Sequence, residues 1–180
     1  MKLLKKLFKK KPHCKLLGEH IEIGDSRLDK QTVVGDYTYV GNNCYVTKAQ
    51  IGRYVSIANF VTIGAGEHDL DDISTSAWFY DDPLAVLRRG ECVIGNDVWI
   101  GVDSIIRRGV KIGNGAVVGA NSFVNHDVPD FAIVAGNPAR LIRYRFDEEM
   151  QAEISASKWW EKDLPEAKEI IKKLKSKIKA

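Results

Sequence analysis

Ile94-Gly95-Asn96-Asp97-Val98-Trp99 is followed by Ile100-Gly101-Val102-Asp103-Ser104-Ile105, and then by Ile106. An aliphatic residue returns every sixth position, with a small residue beside it and a compact one four places on. Stepping forward from Ile106 gives Ile112, Val118 and Val124. Stepping back across a break gives Ile63, Ile57 and Ile51, and, after one residue is dropped, Val46, Val40 and Val34. All twelve positions are Ile or Val. The small neighbours are Gly35, Gly41, Gly52, Ala58, Gly64, Gly95, Gly101, Gly113 and Gly119. The compact residues are Thr38, Cys44, Val55, Val61, Val98, Ser104, Val110, Ala116, Ser122 and Val128. Ile23-Gly24 reads as an earlier, degenerate hexad.

A six-residue period does not suit an ordinary sandwich, whose strands alternate with period two. It suits a triangular coil of three short flat strands, about 18 residues per turn, with the aliphatic residue pointing inward and stacking on its counterpart about 4.8 Å away. The small residue is expected to make the corner, where glycine takes a positive φ without steric cost. Each buried Ile or Val contributes roughly 1.5–3 kcal/mol against exposure. A single coil cannot bury its own face, so the stack is cooperative and its ends need cover. The predicted class is mainly β. Residues 1–20 are expected to be a basic N-terminal segment, 21–136 the β-helix with an excursion loop over 69–91, and 137–180 a turn and helices.

The period fails between His68 and Glu91. An insertion into a solenoid leaves the stack as a loop, and loops on rigid scaffolds commonly carry function. This one holds Ser74, Thr75, the aromatic run Trp78-Phe79-Tyr80, and Asp69, Asp71, Asp72, Asp81 and Asp82. Beyond Val128-Pro129, Gly136-Asn137-Pro138 predicts a turn. Residues 146–158 predict one helix, and Ala167, Ile171, Leu174 and Ile178 give a second its apolar stripe. Trp159 and Trp160 between them are expected to be packing anchors.

Apolar residues form 44% of the 180-residue chain and charged residues 28%, as in soluble globular proteins. No apolar run is long enough to span a bilayer. The start lacks the apolar core and cleavage site of a secretory signal, so a cytoplasmic location is expected. The net charge of +3 is divided unevenly: residues 1–15 carry +7, 16–167 carry −9 and 168–180 carry +5. The body has no basic face with interleaved aromatics, which argues against nucleic-acid binding. Residues 1–11 set Leu3, Leu4, Leu7 and Phe8 against six lysines. Such a segment docks on its own protein or rests peripherally on an anionic membrane. Cys14, Cys44 and Cys92 form no metal-ligand spacing and read as reduced thiols.

Three stretches resemble the hexapeptide-repeat acetyltransferases. They are Gly64-Ala65-Gly66-Glu67-His68 with Ser74-Thr75, Ile94 to Gly101, and Ala135-Gly136-Asn137-Pro138-Ala139-Arg140 running on through Arg145-Phe146 to Trp159-Trp160. The likeness spans roughly residues 20–163. It is strongest to the xenobiotic branch, which acylates chloramphenicol or streptogramins, and to polysaccharide O-acetyltransferases. The resemblance implies a left-handed winding of the parallel β-helix, acetyl-CoA as acyl donor, no metal, and a homotrimer with each active site in the cleft between two prisms.

His68 matches the family's catalytic histidine. Acyl transfer to an alcohol requires removal of the hydroxyl proton as oxygen attacks the thioester carbon. An imidazole, with ordinary pKa near ~6.5, can take that proton and return one to the leaving thiolate. The acids near it in sequence do not single out an orienting partner. The resemblance places Trp99 along the pantetheine arm, with Gly101, Gly119 and Ala120 letting the cofactor lie against backbone. Arg140 and Arg143 match arginines that meet the CoA phosphates. The plainer alternatives are subunit packing for Trp99, the fold's own need for the glycines, and solvated charge for the arginines. Arg107 and Arg108 read as an exposed corner. His126, near the last coil, is a weaker candidate for CoA phosphate contact. Ser74, Thr75, Trp78 and Tyr80 are the candidate acceptor-binding residues. The expected function is O-acetylation of a sugar, a polysaccharide precursor or a xenobiotic antibiotic. A non-catalytic β-helix module is the alternative. A metalloenzyme like the γ-type carbonic anhydrases would need three histidines around zinc, and only His68 and His126 lie in the repeat region.

Overall fold

A computed structural model describes residues 13–178. The segment 1–11, expected to dock on its own protein rather than on a membrane, therefore lies outside the described residues. Three parallel sheets wind into a β-helix of about seven turns. The first sheet holds β1 (Lys15–Leu17), β4 (Val33–Gly35), β7 (Ala49–Ile51), β10 (Cys92–Ile94) and β13 (Lys111–Ile112). The second holds β2 (Glu22–Ile23), β5 (Tyr39–Val40), β8 (Ser56–Ile57), β11 (Trp99–Ile100), β14 (Val117–Val118), β16 (Ala132–Gly136) and β17 (Ala139–Tyr144). The third holds β3 (Arg27–Leu28), β6 (Tyr45–Val46), β9 (Thr62–Ile63), β12 (Ile105–Ile106) and β15 (Phe123–Val124).

All twelve repeat aliphatics are buried, most of them completely, and so are the ten compact residues. They stack because partners in adjacent coils sit in register, as Ile57 does under Ile100 and Ile100 under Val118. The coil repeat is 18 residues where Asn96 meets Asn114 and 17 where Asn42 meets Asn59, the dropped residue being absorbed at a corner. It jumps to 43 between Arg53 and Asn96, where the excursion is inserted.

The corners are not made as expected. Most repeat glycines do not use positive φ. That conformation falls two residues later, at Tyr37 (60°), Tyr54 (59°), Asp97 (55°) and Asp103 (58°). The glycines serve close approach between coils: a Cβ on Gly35 would meet the Gly52 carbonyl oxygen at 2.6 Å, and one on Gly101 the Ala120 nitrogen at 2.6 Å. Left-handed backbone at a side-chain-bearing residue costs roughly 1–2 kcal/mol. Stacking and side-chain ladders offset it. The Asn114 Oδ1 accepts from the Asn96 N–H at 2.9 Å, and the Asp130 Oδ1 accepts from the Asn114 N–H at 2.7 Å. At the corner between the first and second sheets, the rings of His20, Tyr37 and Tyr54 lie one above another, 4.8 and 4.7 Å apart and nearly parallel. Ring spacing there simply follows coil spacing.

Two elements depart from the expected layout. β1 pairs with β4, so the first sheet begins inside the segment expected to be a basic tail. After Gly136-Asn137-Pro138 the chain forms β17, antiparallel to β16, before any helix. A terminal strand leaves a row of unpaired backbone groups, and β17 satisfies them on one side. Then α2 (Glu148–Ser157) and α3 (Leu164–Lys175) follow. Phe131, Ile154, Trp159, Trp160 and Ala167 are buried together, with Tyr54 packed against them. The two tryptophans thus anchor the helices to the prism. No helix among the described residues is long and apolar enough to cross a membrane.

Candidate functional site

The excursion leaves the stack after β9 on the third sheet and returns at β10 on the first, so His68 stands at the edge between those faces. Its ring is exposed and tilted 47° against Tyr80, with centroids 6.2 Å apart. Both residues flanking it are tied down. Glu67 takes a forked contact from Arg107: Nε lies 2.9 Å from each carboxylate oxygen and Nη2 2.7 Å from Oε2. The Glu67 N–H donates to the Leu87 carbonyl across the loop at 3.0 Å. The Asp69 N–H donates to the Tyr80 hydroxyl at 3.0 Å, and that hydroxyl donates to the Thr75 carbonyl at 3.1 Å. The Asp71 N–H, helped by Arg89, holds the Asp69 carboxyl below the ordinary carboxylate range. Both neighbouring carboxylates are therefore committed to arginines rather than to the imidazole.

Of the predicted acceptor residues, Tyr80 and Thr75 are joined as described. The Ser74 hydroxyl accepts from the Ser76 N–H at 3.1 Å. Trp78 is 94% exposed in a short 3-10 turn, and Ile73 beside this group is fully exposed. The loop closes with α1 (Pro83–Leu87), capped by Asp82, whose carboxylate accepts from the Ala85 N–H at 3.0 Å.

Arg107 and Arg108 do not share one environment. Arg107 is exposed and grips Glu67, which raises its pKa further. Arg108, expected at an exposed corner, is buried, and burial lowers its pKa. Its guanidinium donates to the carbonyls of Gly64, Ala65 (3.2 Å) and Gly90 (3.3 Å) and to the Thr47 hydroxyl. It thus spans the exit and the return of the excursion. Sequence reading missed this role. The available signal was position: Arg108 follows Ile106 as Ala65 follows Ile63, so it lies one coil beyond the exit. The return limb is fixed further by the Arg88–Asp29 ion pair and by the Lys48 ammonium donating to the Arg88 carbonyl at 3.0 Å.

The predicted cofactor residues gather on a different face. On the second sheet, Trp99 pairs with Val117, Val117 with Ile133 and Ile133 with Arg143. Alongside runs a second row. Gly101 adjoins Gly119, and Gly119 adjoins Ala135, which pairs with Arg140. Ala120 lies against Gly101. Trp99 is 56% exposed, and Arg140 and Arg143 are exposed on β17. Within one chain the third sheet separates these rows from the edge that carries His68. A groove of about 650 Å³ lies instead on the first sheet, between Val93, Lys111 and Asp130, and none of the predicted site residues lines it. Among the described residues no group of three His, Cys, Asp or Glu is placed to hold a metal ion.

The repeat pattern and the fold also match known proteins. Residues 31–65 and 91–126 match the bacterial transferase hexapeptide (six repeats) family. A chloramphenicol acetyltransferase from Agrobacterium fabrum is 41% identical over 165 residues, covering 74% of this chain and 79% of the relative. One from Escherichia coli is 40% identical over 132 residues, covering 67% of this chain and 63% of the relative, so the match spans just under two thirds of that protein's length. Among solved structures, a galactoside acetyltransferase in complex with coenzyme A superposes with a TM-score of 0.61 at 27% identity, covering 74% of this chain and 66% of that one. The inward Ile and Val stacks, the inter-coil glycines and the matched residues together establish that the chain belongs to the hexapeptide-repeat acetyltransferase family.

Proposed function

We propose that the protein transfers the acetyl group of acetyl-CoA to a hydroxyl of a small acceptor, a sugar or a hydroxylated xenobiotic, with His68 as general base. A ring nitrogen of neutral His68 takes the acceptor's hydroxyl proton as oxygen attacks the thioester carbonyl carbon. The carbon–sulfur bond then breaks, and the imidazolium returns its proton to the departing thiolate. The products are an acetyl ester and CoA. General-base help of this kind is worth roughly 10²–10⁴-fold.

The observation that carries this reading is the division of the site. An exposed imidazole, flanked by the tethered Glu67 and Asp69, stands on one edge of the prism, and an aromatic-to-arginine row stands on another face. Two copies of the chain side by side supply what one cannot, the His68 edge from one and the Trp99–Arg143 row from the next. The outer surface of the third sheet suits such contact. Tyr45, Thr62, Ile105 and Phe123 form a largely apolar row there, with exposed Phe60 and Val102 at the adjoining corner. A homotrimer closes this arrangement. Trp78, Tyr80, Ser74 and Thr75 would then face the acceptor.

The test is acetyl transfer from labelled acetyl-CoA to chloramphenicol, a streptogramin and a galactoside, with His68→Ala run in parallel. Turnover that disappears in the variant while CoA still raises its melting temperature supports the reading. Turnover retained in the variant overturns it.

A further inference from the structure

We propose that Arg108 is a positioning residue, which pins the neck of the excursion and so sets where His68 stands. The inference rests on the reading of His68 as the base. It starts from an arrangement that is costly to build. A buried guanidinium loses hydration, and Arg108 has no carboxylate against it among the described ion pairs. Three carbonyls and one hydroxyl take the place of a counter-ion. An aliphatic side chain would fill a corner at lower cost, so these four contacts account for an arginine there.

The contacts converge on the two points that define the loop. Gly64 exits the stack with φ 66° and Gly90 re-enters it with φ 83°, and the carbonyls of both accept from Arg108. A lysine is a point charge on a flexible stem, and only the planar fork reaches several acceptors in fixed directions. Thr47, in the preceding coil, ties the fork to the rigid stack. From Ala65 the chain reaches His68 in three residues, enough for roughly 10 Å of travel if the neck were free. The Arg107–Glu67 fork and the Glu67–Leu87 bond fasten the same span from its outer side. His68 is therefore suspended between an inner clamp and an outer one, both built from a single Arg-Arg pair. Displacement of a reacting group by about 1 Å costs up to a hundredfold in rate.

The test uses the full chain with Arg108→Lys, Arg108→Met and the surface variant Arg107→Gln. Two readouts are needed, amide hydrogen exchange across residues 65–91 and separate kcat and KM values. The expected result is faster exchange confined to 65–91. Alongside it, kcat should fall about ten- to a hundredfold in Arg108→Met, and less in Arg108→Lys and Arg107→Gln. The KM for acetyl-CoA should stay within about twofold, because the Trp99–Arg143 row is untouched. If Arg108→Met does not fold, Thr47→Val, which removes one acceptor, takes its place with a smaller effect in the same direction. Unchanged exchange in a folded variant overturns the clamp. So does unchanged kcat where His68→Ala is inactive, or a kcat loss matched by the KM. Full turnover in His68→Ala instead removes the underlying assignment of the base, a result distinguishable from all of these.

Discussion

Trp99 and Arg143 stand in one row across the outer face of the second sheet, linked by the pairings through Val117 and Ile133. Three strand spacings separate them, roughly 14 Å at about 4.8 Å each. The row therefore offers an aromatic surface at one end and a cation at the other, with short apolar side chains between. That suits an elongated donor that is apolar along its arm and anionic at its far end.

If the row binds the donor, Arg143→Gln should raise the KM for acetyl-CoA about three- to tenfold, the size of a solvent-screened charge-assisted contact. The kcat at saturation should change little, because the contact is made equally before and during transfer. Steady-state kinetics over a range of acetyl-CoA concentrations decides this. The effect should shrink as salt is added, since both partners are exposed. A KM that does not move would detach Arg143 from the donor site.

His68→Ala should lower kcat by about 10²–10⁴-fold. His68→Gln should do no better, since an amide keeps a polar shape but cannot accept and return a proton at neutral pH. Neither change should loosen the stack, because the ring is exposed and outside the hydrophobic core. Thermal melting beside the kinetics separates loss of chemistry from loss of structure.

The core makes a contrasting prediction. Ile100 is completely buried between Ile57 and Val118. Ile100→Ala removes contact with the coil on either side and should cost about 2–5 kcal/mol. Ile105→Ala, one residue before the next inward position, removes a 46% exposed side chain and should cost far less in the isolated chain. Chemical denaturation of both variants measures the difference. Equal losses would mean that inward and outward positions had been misassigned.

How much of this was legible beforehand follows from which contacts are periodic. Ile100 and Val118 stack because they stand three hexads, one 18-residue coil, apart, and Ile57 joins them one coil earlier across the excursion, so a linear scan for the six-residue phase finds all three. The Trp99 and Gly101 rows were also within reach once the coil length was known. Arg108 was not, because its partners Thr47, Gly64 and Gly90 meet only after a 43-residue coil has been folded back on an 18-residue one. Non-periodic insertions hide their anchors. β17 was missed for a related reason: Arg140 to Tyr144 carry no hexad, and their strand exists only because the edge of β16 pairs with them. The glycine corners were misread because sequence shows that small residues are needed, but not whether φ or inter-coil distance requires them.

Asp97 and Arg145 give a prediction with a sign in pH. Asp97 lies at a corner where burial pushes its carboxyl above the ordinary carboxylate range, while Arg145, 3.1 Å away, pulls it back only in part. The folded state thus holds the proton more tightly than the unfolded chain does. Its contribution is favourable below the unfolded pKa and declines as pH rises through the folded one. Removing the cation by Arg145→Met leaves a buried carboxylate with less compensation, which raises the folded pKa further and deepens the loss at neutral pH. Arg145→Met should therefore destabilise by about 2 kcal/mol near pH 7, and by less near pH 4, because the raised carboxyl takes up its proton as pH falls. Part of the loss should persist at low pH, since Arg145 also donates to the Gly115 carbonyl at 2.6 Å and lies over the Phe146 ring at 5.1 Å. Asp97→Asn in the Arg145→Met background should recover the pH-dependent part alone. Urea denaturation of the two variants at both pH values measures each share, and a loss that grows on acidification would reverse the assigned direction of the Asp97 shift.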